Sequence, residues 1–198
     1  MLVESKREAD GTLVTDWTSE GQGAIAAPVR ADASTGGERI LATSWDGPTR
    51  LLSAAGDELW ASDQKGLSSA ARPLLLSGES DANGVVIAVM VEGESFPPFG
   101  ADGLILMLDA DSGEEVGSIP LAGFSGSDPM VYDLDADGDQ ELIVKPVKVD
   151  KFGQSVGELQ AFDVASGEVE RSVAIDGFSV STPLIADLDG DGRAELVD

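Results

Sequence analysis

Apolar residues in this chain come in short runs. Ile40-Leu-Ala-Thr43, Arg50-Leu-Leu52, Glu58-Leu-Trp60, Val85-Val-Ile-Ala-Val89, Leu104 to Leu108, Leu142-Ile-Val144 and Leu159-Gln-Ala-Phe162 are each bounded by Gly, Asp or Pro. Runs this short between turn formers predict strands, and the Gly turns beside them suit hairpins, where a residue with positive φ is needed. No stretch long enough for a helix carries an apolar stripe of 3.6-residue period, so the chain is expected to be nearly all β.

The strands recur with a period. Pro28, Pro73, Pro129 and Pro183 open similar phrases, Pro-Val-Arg-Ala-Asp32, Pro-Leu-Leu-Leu-Ser77, Pro-Met-Val-Tyr-Asp133 and Pro-Leu-Ile-Ala-Asp187, at spacings of 45, 56 and 54 residues. A Gly in a polar turn precedes each Pro: Gly11, Gly56, Gly113 and Gly167 lie 17, 17, 16 and 16 residues upstream. Units of this length holding about four short strands fit the blades of a β-propeller. The expected fold is one domain over residues 1–198, an all-β propeller of about four blades of four-stranded antiparallel sheets. Its units span about 18–62, 63–118, 119–172, and 173–198 joined with 1–17. The ring is expected to close by pairing of N- and C-terminal strands, which would cover strand edges otherwise open to aggregation. The alternative is a fragment of a larger propeller, and the chain is expected to be either a monomer or one half of a paired half-ring dimer.

Charge narrows the partners. Against 37 Asp+Glu stand 12 Lys+Arg, a net charge of −25, with no His and no Cys. Such a chain is repelled by phosphate backbones and anionic membrane surfaces, so nucleic acid is not an expected partner. Its longest apolar runs are far too short to insert in a membrane. The missing residue types exclude disulfides, thiolate nucleophiles, Ser-His-Asp triads and imidazole-bound metals. Any metal must be held by oxygen. At 42% hydrophobic residues the chain still has enough for a core. The acidic, Lys-poor composition suits an extracellular or periplasmic milieu, with any export signal expected outside these residues.

Two loops carry that oxygen chemistry. Asp133-Leu-Asp135-Ala-Asp137-Gly138-Asp139-Gln-Glu141 and Asp187-Leu-Asp189-Gly-Asp191-Gly192-Arg193-Ala-Glu195 share the pattern D-x-D-x-D-G-x-x-E, each beginning four residues after its Pro. Alternating Asp side chains turn inward around a point, Gly permits the bend, the carbonyls of Asp139 and Arg193 add an oxygen each, and Glu141 and Glu195 close the cages. That donor set suits Ca2+, which takes six to eight oxygen ligands. An EF-hand is excluded, because the twelfth loop residues are Val144 and Asp198 and the flanks are strands. The competing reading is a pair of solvated Asp-rich turns; four carboxylates crowded without a cation would repel, which favours a structural calcium. Degenerate versions, Asp32-Ala-Ser34-Thr-Gly36-Gly-Glu38 and Ser77-Gly-Glu79-Ser-Asp81-Ala-Asn83, have lost ligands and are expected to serve as turns.

The phrases Gly123-Phe-Ser-Gly126-Ser-Asp-Pro129 and Gly177-Phe-Ser-Val-Ser-Thr-Pro183, each followed by its Asp loop, resemble the FG-GAP (VCBS, integrin-like) repeat over Gly123 to Glu195. In the first half Gly56-Asp-Glu-Leu-Trp60 also resembles the PQQ-type propeller repeat. The resemblance implies an all-β propeller with calcium in its hairpin loops; four units are fewer than the family's usual ring.

The functional expectation is a noncatalytic, calcium-stabilised module for recognition of a protein or glycan partner, or a scaffold. Its candidate contact surfaces are Glu92-Gly-Glu-Ser-Phe96-Pro-Pro-Phe99-Gly and the cluster Lys145-Pro-Val-Lys148-Val-Asp-Lys151, which holds three of the five lysines; the bland reading of the latter is an edge strand guarded by Lys. A glycan-binding alternative would stack sugars on Trp17, Trp45 or Trp60, with Trp45 in a turn as the best placed and the other two suited to packing. A propeller enzyme acting on polysaccharide, with carboxylates as acid and base, is a further alternative, but spacing singles out no catalytic pair.

Overall fold

The computed structural model describes residues 2–7, 13–19, 29–33, 37–45, 47–62, 67–76, 84–92, 100–149, 152–177, 179–191 and 193–198. Gly11, Pro28, Ser34, Gly36, Ser77 to Asn83, the loop 93–99, Lys151, Phe178 and Gly192, all singled out above, lie outside them. Among the described residues there are strands and turns and no helix, and hence none long and apolar enough to cross a membrane.

An N-terminal hairpin pairs β1 (Leu2–Arg7) with β2 (Leu13–Ser19). Sheet 1 is a meander of β3 (Val29–Ala33), β4 (Gly37–Ser44), β5 (Gly47–Ser53) and β6 (Glu58–Ala61). In sheet 2, β7 (Leu67–Ser68) and β8 (Leu74–Leu76) both pair with β9 (Val85–Glu92), followed by β10 (Gly103–Asp109) and β11 (Glu115–Leu121). Sheet 3 runs β12 (Met130–Tyr132), β13 (Glu141–Val144), β15 (Ser155–Asp163) and β16 (Val169–Asp176), with β14 (Val147–Val149) also on β15. A C-terminal hairpin pairs β17 (Leu184–Ala186) with β18 (Glu195–Val197). Among the described residues every pairing is antiparallel.

The sheets stack face to face, and period-two alternation sorts each strand between its two neighbours. On β9, Val86, Ala88 and Met90 join Leu41, Leu51 and Trp60 of sheet 1, whereas Ile87 and Val89 join Leu142, Val144 and Phe162 of sheet 3. That explains why β9 reads as an unbroken apolar run: it is buried on both sides. Each fully buried side chain of this size contributes up to about 1.5–3 kcal/mol.

Repeated contacts set the stacking. The turns Asp109 to Glu114 and Asp163 to Glu168 are alike: Ser112 and Ser166 N–H donate to the Asp109 and Asp163 carboxylates at 2.8 and 2.6 Å, and Gly113 and Gly167 N–H donate to the same residues' carbonyls at 2.8 and 2.9 Å. Each glycine has positive φ and faces the preceding sheet, where a Cβ on Gly113 would stand 2.6 Å from the Trp60 ring and one on Gly167 3.2 Å from Ile119. Positive φ disfavours other residues at both positions, and at Gly113 the Trp60 ring also leaves no space. Trp60 Nε1 donates to Ala110 O at 3.0 Å in the same contact. Nearer the first strands, the residue before each Pro reaches into the next unit. Arg72 donates to Asp128 through its N–H and guanidinium at 2.7 and 2.8 Å, and Asp128 N–H donates to Thr182 Oγ1 at 3.1 Å.

The expected closure is not found. Among the described residues β1 and β2 pair only with each other, and so do β17 and β18. Local hairpins close short loops, whereas joining the chain ends carries the entropy of a loop through all three sheets, and the C-terminal hairpin has little packing to offset it: Leu184 and Val197 are exposed.

Candidate metal centre

Both Asp loops are hairpin connections between the first and second strands of their units. In loop 133–141, Glu141 opens β13, buried at 3% exposure, and its Oε2 accepts the Leu134 N–H at 2.6 Å. The Asp133 carboxylate accepts from Asp137 N–H at 3.2 Å and Gly138 N–H at 3.1 Å, and Asp137 Oδ1 accepts from Asp139 N–H at 2.9 Å. The backbone turns through positive φ at Ala136 (61°) and Gly138 (102°). Carboxylate oxygens of Asp133, Asp135, Asp137 and Glu141 thereby come within 4.8 Å of one another. Two oxygens on opposite sides of one Ca2+, each at about 2.4 Å, are about that far apart.

Loop 187–195 repeats the bonds of the closing Glu and of the fifth-position Asp. Glu195 Oε2 accepts the Leu188 N–H at 2.8 Å, Asp187 Oδ1 the Gly190 N–H at 2.6 Å, Asp189 Oδ1 the Asp191 N–H at 3.0 Å, and Asp191 Oδ1 the Arg193 N–H at 2.9 Å. Gly190, at φ 78°, stands where the first loop has Ala136. Here Asp187, Asp189 and Glu195 form the cluster, and the Asp191 carboxylate lies outside it. The Asp139 side chain lies outside the first cluster.

Three neighbours of the first loop were not legible in its motif. Arg171 on β16 pairs with Asp135 at 3.3 Å. Partial desolvation, then the charges of Glu141, Asp163, Asp135 and Asp137, hold the Glu170 carboxyl above its ordinary range. Asp163, opposite Glu141 in the ladder, is pulled below its range by the Ser166 hydroxyl and N–H. The available signal was the strand expected after the Gly167 turn, which carries β16 back past the loop.

Two other candidates change character. Trp45 is buried at 8% exposure against Val91 and Phe124, so its ring is core and offers no stacking face; Trp60 is equally covered, and the side chain of Trp17 lies outside the description. Of the lysine cluster, Lys145 and Lys148 are each paired, and Lys151 lies outside the described residues. Lys145 is fully buried, donating to Ser179 and Ser181 Oγ at 2.9 and 3.3 Å and to Asp198 Oδ1 at 2.5 Å, and Lys148 pairs with Asp102 at 2.6 Å. Sequence spacing could not reveal this, because Lys145's partners come from the next unit.

No protein-family model and no curated protein matches the sequence. Among solved structures, the chain is similar to BamB from Moraxella catarrhalis, at 14% identity and TM-score 0.51, covering 91% of this chain and 51% of that one. It is also similar to a europium-containing methanol dehydrogenase, at 15% identity and TM-score 0.54, covering 94% of this chain and 41% of that one. Both are β-propellers. The fold is therefore all-β and of propeller type. The chain spans about half the length of the solved structures it matches.

Proposed function

We propose that this protein is a noncatalytic calcium-binding propeller module, used outside the cytoplasm for recognition or as a scaffold, with Ca2+ structural in loops 133–141 and 187–195. The carrying observation is the convergence of carboxylates on one point in two loops with matching hydrogen-bond frames. Glu141 and Glu195 each tie the loop's second residue to the opening of the following strand, so a bound ion would brace the hairpin as well as relieve the repulsion. The resemblance of Gly123 to Glu195 to FG-GAP repeats supports the same reading. Extracellular modules bind calcium at about 10⁻⁴ to 10⁻³ M, which suits such exposed loops.

The test is calorimetric Ca2+ titration with thermal unfolding in calcium and in chelator. Two equivalents bound and a midpoint raised by several degrees are expected. A midpoint indifferent to calcium would reduce both loops to turns.

A further inference from the structure

Equivalent ladder positions are apolar in sheet 2 and polar in sheet 3. Ile87 and Ile143 correspond, since each stands opposite the residue after its unit's Pro, Leu74 and Met130. From there the registers run in step: Leu106 opposite Ala88 and Leu104 opposite Met90 on β9–β10, and Gln160 opposite Val144 on β13–β15, with Glu158 two residues before Gln160. Leu104 and Leu106 pack into the core that sheet 2 shares with sheet 1. Glu158 and Gln160 hold the same places toward sheet 2, on the side of β15 that buries Phe162. A glutamate and a glutamine there forgo the apolar burial on which the stacking otherwise rests. Such exceptions within a consistent pattern concentrate at functional sites.

The exchange leaves space. β11 ends at Leu121 and the chain crosses to sheet 3, where Phe124 and Val147 exchange backbone bonds at 3.0 and 2.7 Å. Beside this crossing a cavity of about 270 Å3 opens, lined by Ala122, Pro146 and Val156 and by Lys148, Glu158 and Gln160. The Glu158 carboxylate is fixed in it. Its Oε2 accepts from Gln160 Nε2 at 2.9 Å and from Ser172 Oγ at 2.7 Å, while the Glu158 N–H donates to Pro146 O at 3.0 Å. Lys148 is paired with Asp102 at 2.6 Å, so the charge left over among these three groups is the negative one of Glu158.

We infer that this cavity is a docking pocket for a lysine side chain of a basic protein partner. Its volume falls short of the roughly 300–1,000 Å3 of sites for drug-sized ligands and cofactors, and suits a single side chain. Among the described residues its lining has no aromatic ring on which a sugar could stack. Apolar walls beside a carboxylate match the methylene stem and charged head of a lysine. With both side-chain donors on Oε2, Glu158 Oε1 is left for one further bond, which suits a point-charge ammonium better than a guanidinium fork that engages both oxygens. The net charge of −25 draws a basic partner in from a distance. This inference stands apart from the calcium reading, since it uses neither Asp loop.

The test follows backbone amide NMR shifts of the full chain as acetyl-Gly-Lys-Gly-amide is added, in chelator and at about 0.15 M salt, where charges act only within about 8 Å. Saturable shifts centred on Val156 to Gln160 are expected. The norleucine peptide keeps the stem and drops the charge, and should bind about tenfold more weakly or worse, the scale of a hydrogen bond to a charged group. Glu158→Gln keeps an acceptor for Gln160 and Ser172 and should lose a similar factor. Glu115→Gln removes the same charge from an exposed position on β11 and should leave binding within about twofold. Glu158→Leu restores the residue type of Leu104, and should abolish binding while raising the melting temperature. The inference is overturned by equal losses in Glu158→Gln and Glu115→Gln, by equal binding of the norleucine peptide, by shifts that do not saturate or that centre elsewhere, or by a Glu158→Leu protein that binds as the parent does.

Discussion

Loop 133–141 springs from a full sheet, whereas loop 187–195 springs from a two-stranded hairpin, and that difference in support separates two loops of one motif. In the first, the closing Glu141 is buried, Arg171 steadies Asp135, and four carboxylates converge. In the second, Glu195 is half-buried and three carboxylates converge, with Asp191 outside the cluster although it holds the Arg193 N–H as Asp137 holds that of Asp139. The hairpin beneath it is anchored to sheet 3 by Lys145, whose buried ammonium holds Ser179, Ser181 and Asp198. The motif fixes the local frame, and the sheet beside it decides how many ligands are aimed.

The largest effect that would break this ranking comes from the closing glutamates. Gln keeps an oxygen for the Leu134 or Leu188 N–H and removes one negative ligand. Glu141→Gln is expected to weaken calcium at the first loop by about 1.5–3 kcal/mol, the scale of a bond to a charged group, or tenfold and more. Glu195→Gln should act in the same direction on a site that starts weaker. Calorimetry of each variant should lose the tighter binding phase in the first and the weaker in the second. The reverse assignment would show that burial does not set the order.

Much of this architecture was legible in punctuation. Pro73, Pro129 and Pro183 do open first strands, and Gly113 and Gly167 do sit in hairpin turns, because positive φ and close approach are demands few residues meet. The short apolar runs marked β4, β5, β6, β9, β10, β13 and β15 for the same reason: strands covered on a face must be apolar there. What escaped was set by neighbours. The β16 sequence Val169-Glu-Arg-Ser-Val-Ala-Ile-Asp176 is largely exposed and gives no apolar run, so its Glu170 and Arg171 went unassigned beside the first loop. Lys145 looks like a surface lysine until Ser179 and Asp198 are brought to it, and Trp45 looks available in its turn until Val91 and Phe124 cover it.

A smaller effect sharpens the comparison at the fourth loop position. Ala136 holds the left-handed conformation that Gly190 holds in the second loop. That conformation costs a residue with a Cβ about 1–2 kcal/mol, partly offset by the greater freedom of an unfolded glycine, about 0.5–1 kcal/mol. Ala136→Gly should therefore stabilise the protein by up to about 1 kcal/mol, and Gly190→Ala should destabilise the C-terminal hairpin by a similar amount. Denaturant midpoints measured in chelator keep calcium out of the comparison, and equal effects of the same sign at both sites would contradict it.

The finest distinction is a pH dependence peculiar to the first loop. The Glu170 carboxyl titrates above 4.5 in the fold, so the stability associated with its protonated form is complete below that value and is lost as pH rises through the folded one. Asp163 runs the other way: titrating below 3.8 in the fold, it contributes above that value and its contribution is lost as pH falls through the folded one. In chelator, Glu170→Gln should thus remove a decline in melting temperature just above pH 4.5 and leave the behaviour below pH 3.8 untouched. Saturating calcium should shrink the difference between variant and parent, because beside desolvation, the largest cause, the Glu141, Asp135 and Asp137 charges that the ion neutralises also raise Glu170. A difference that persists undiminished in calcium would leave desolvation and Asp163, not the loop carboxylates, as its source.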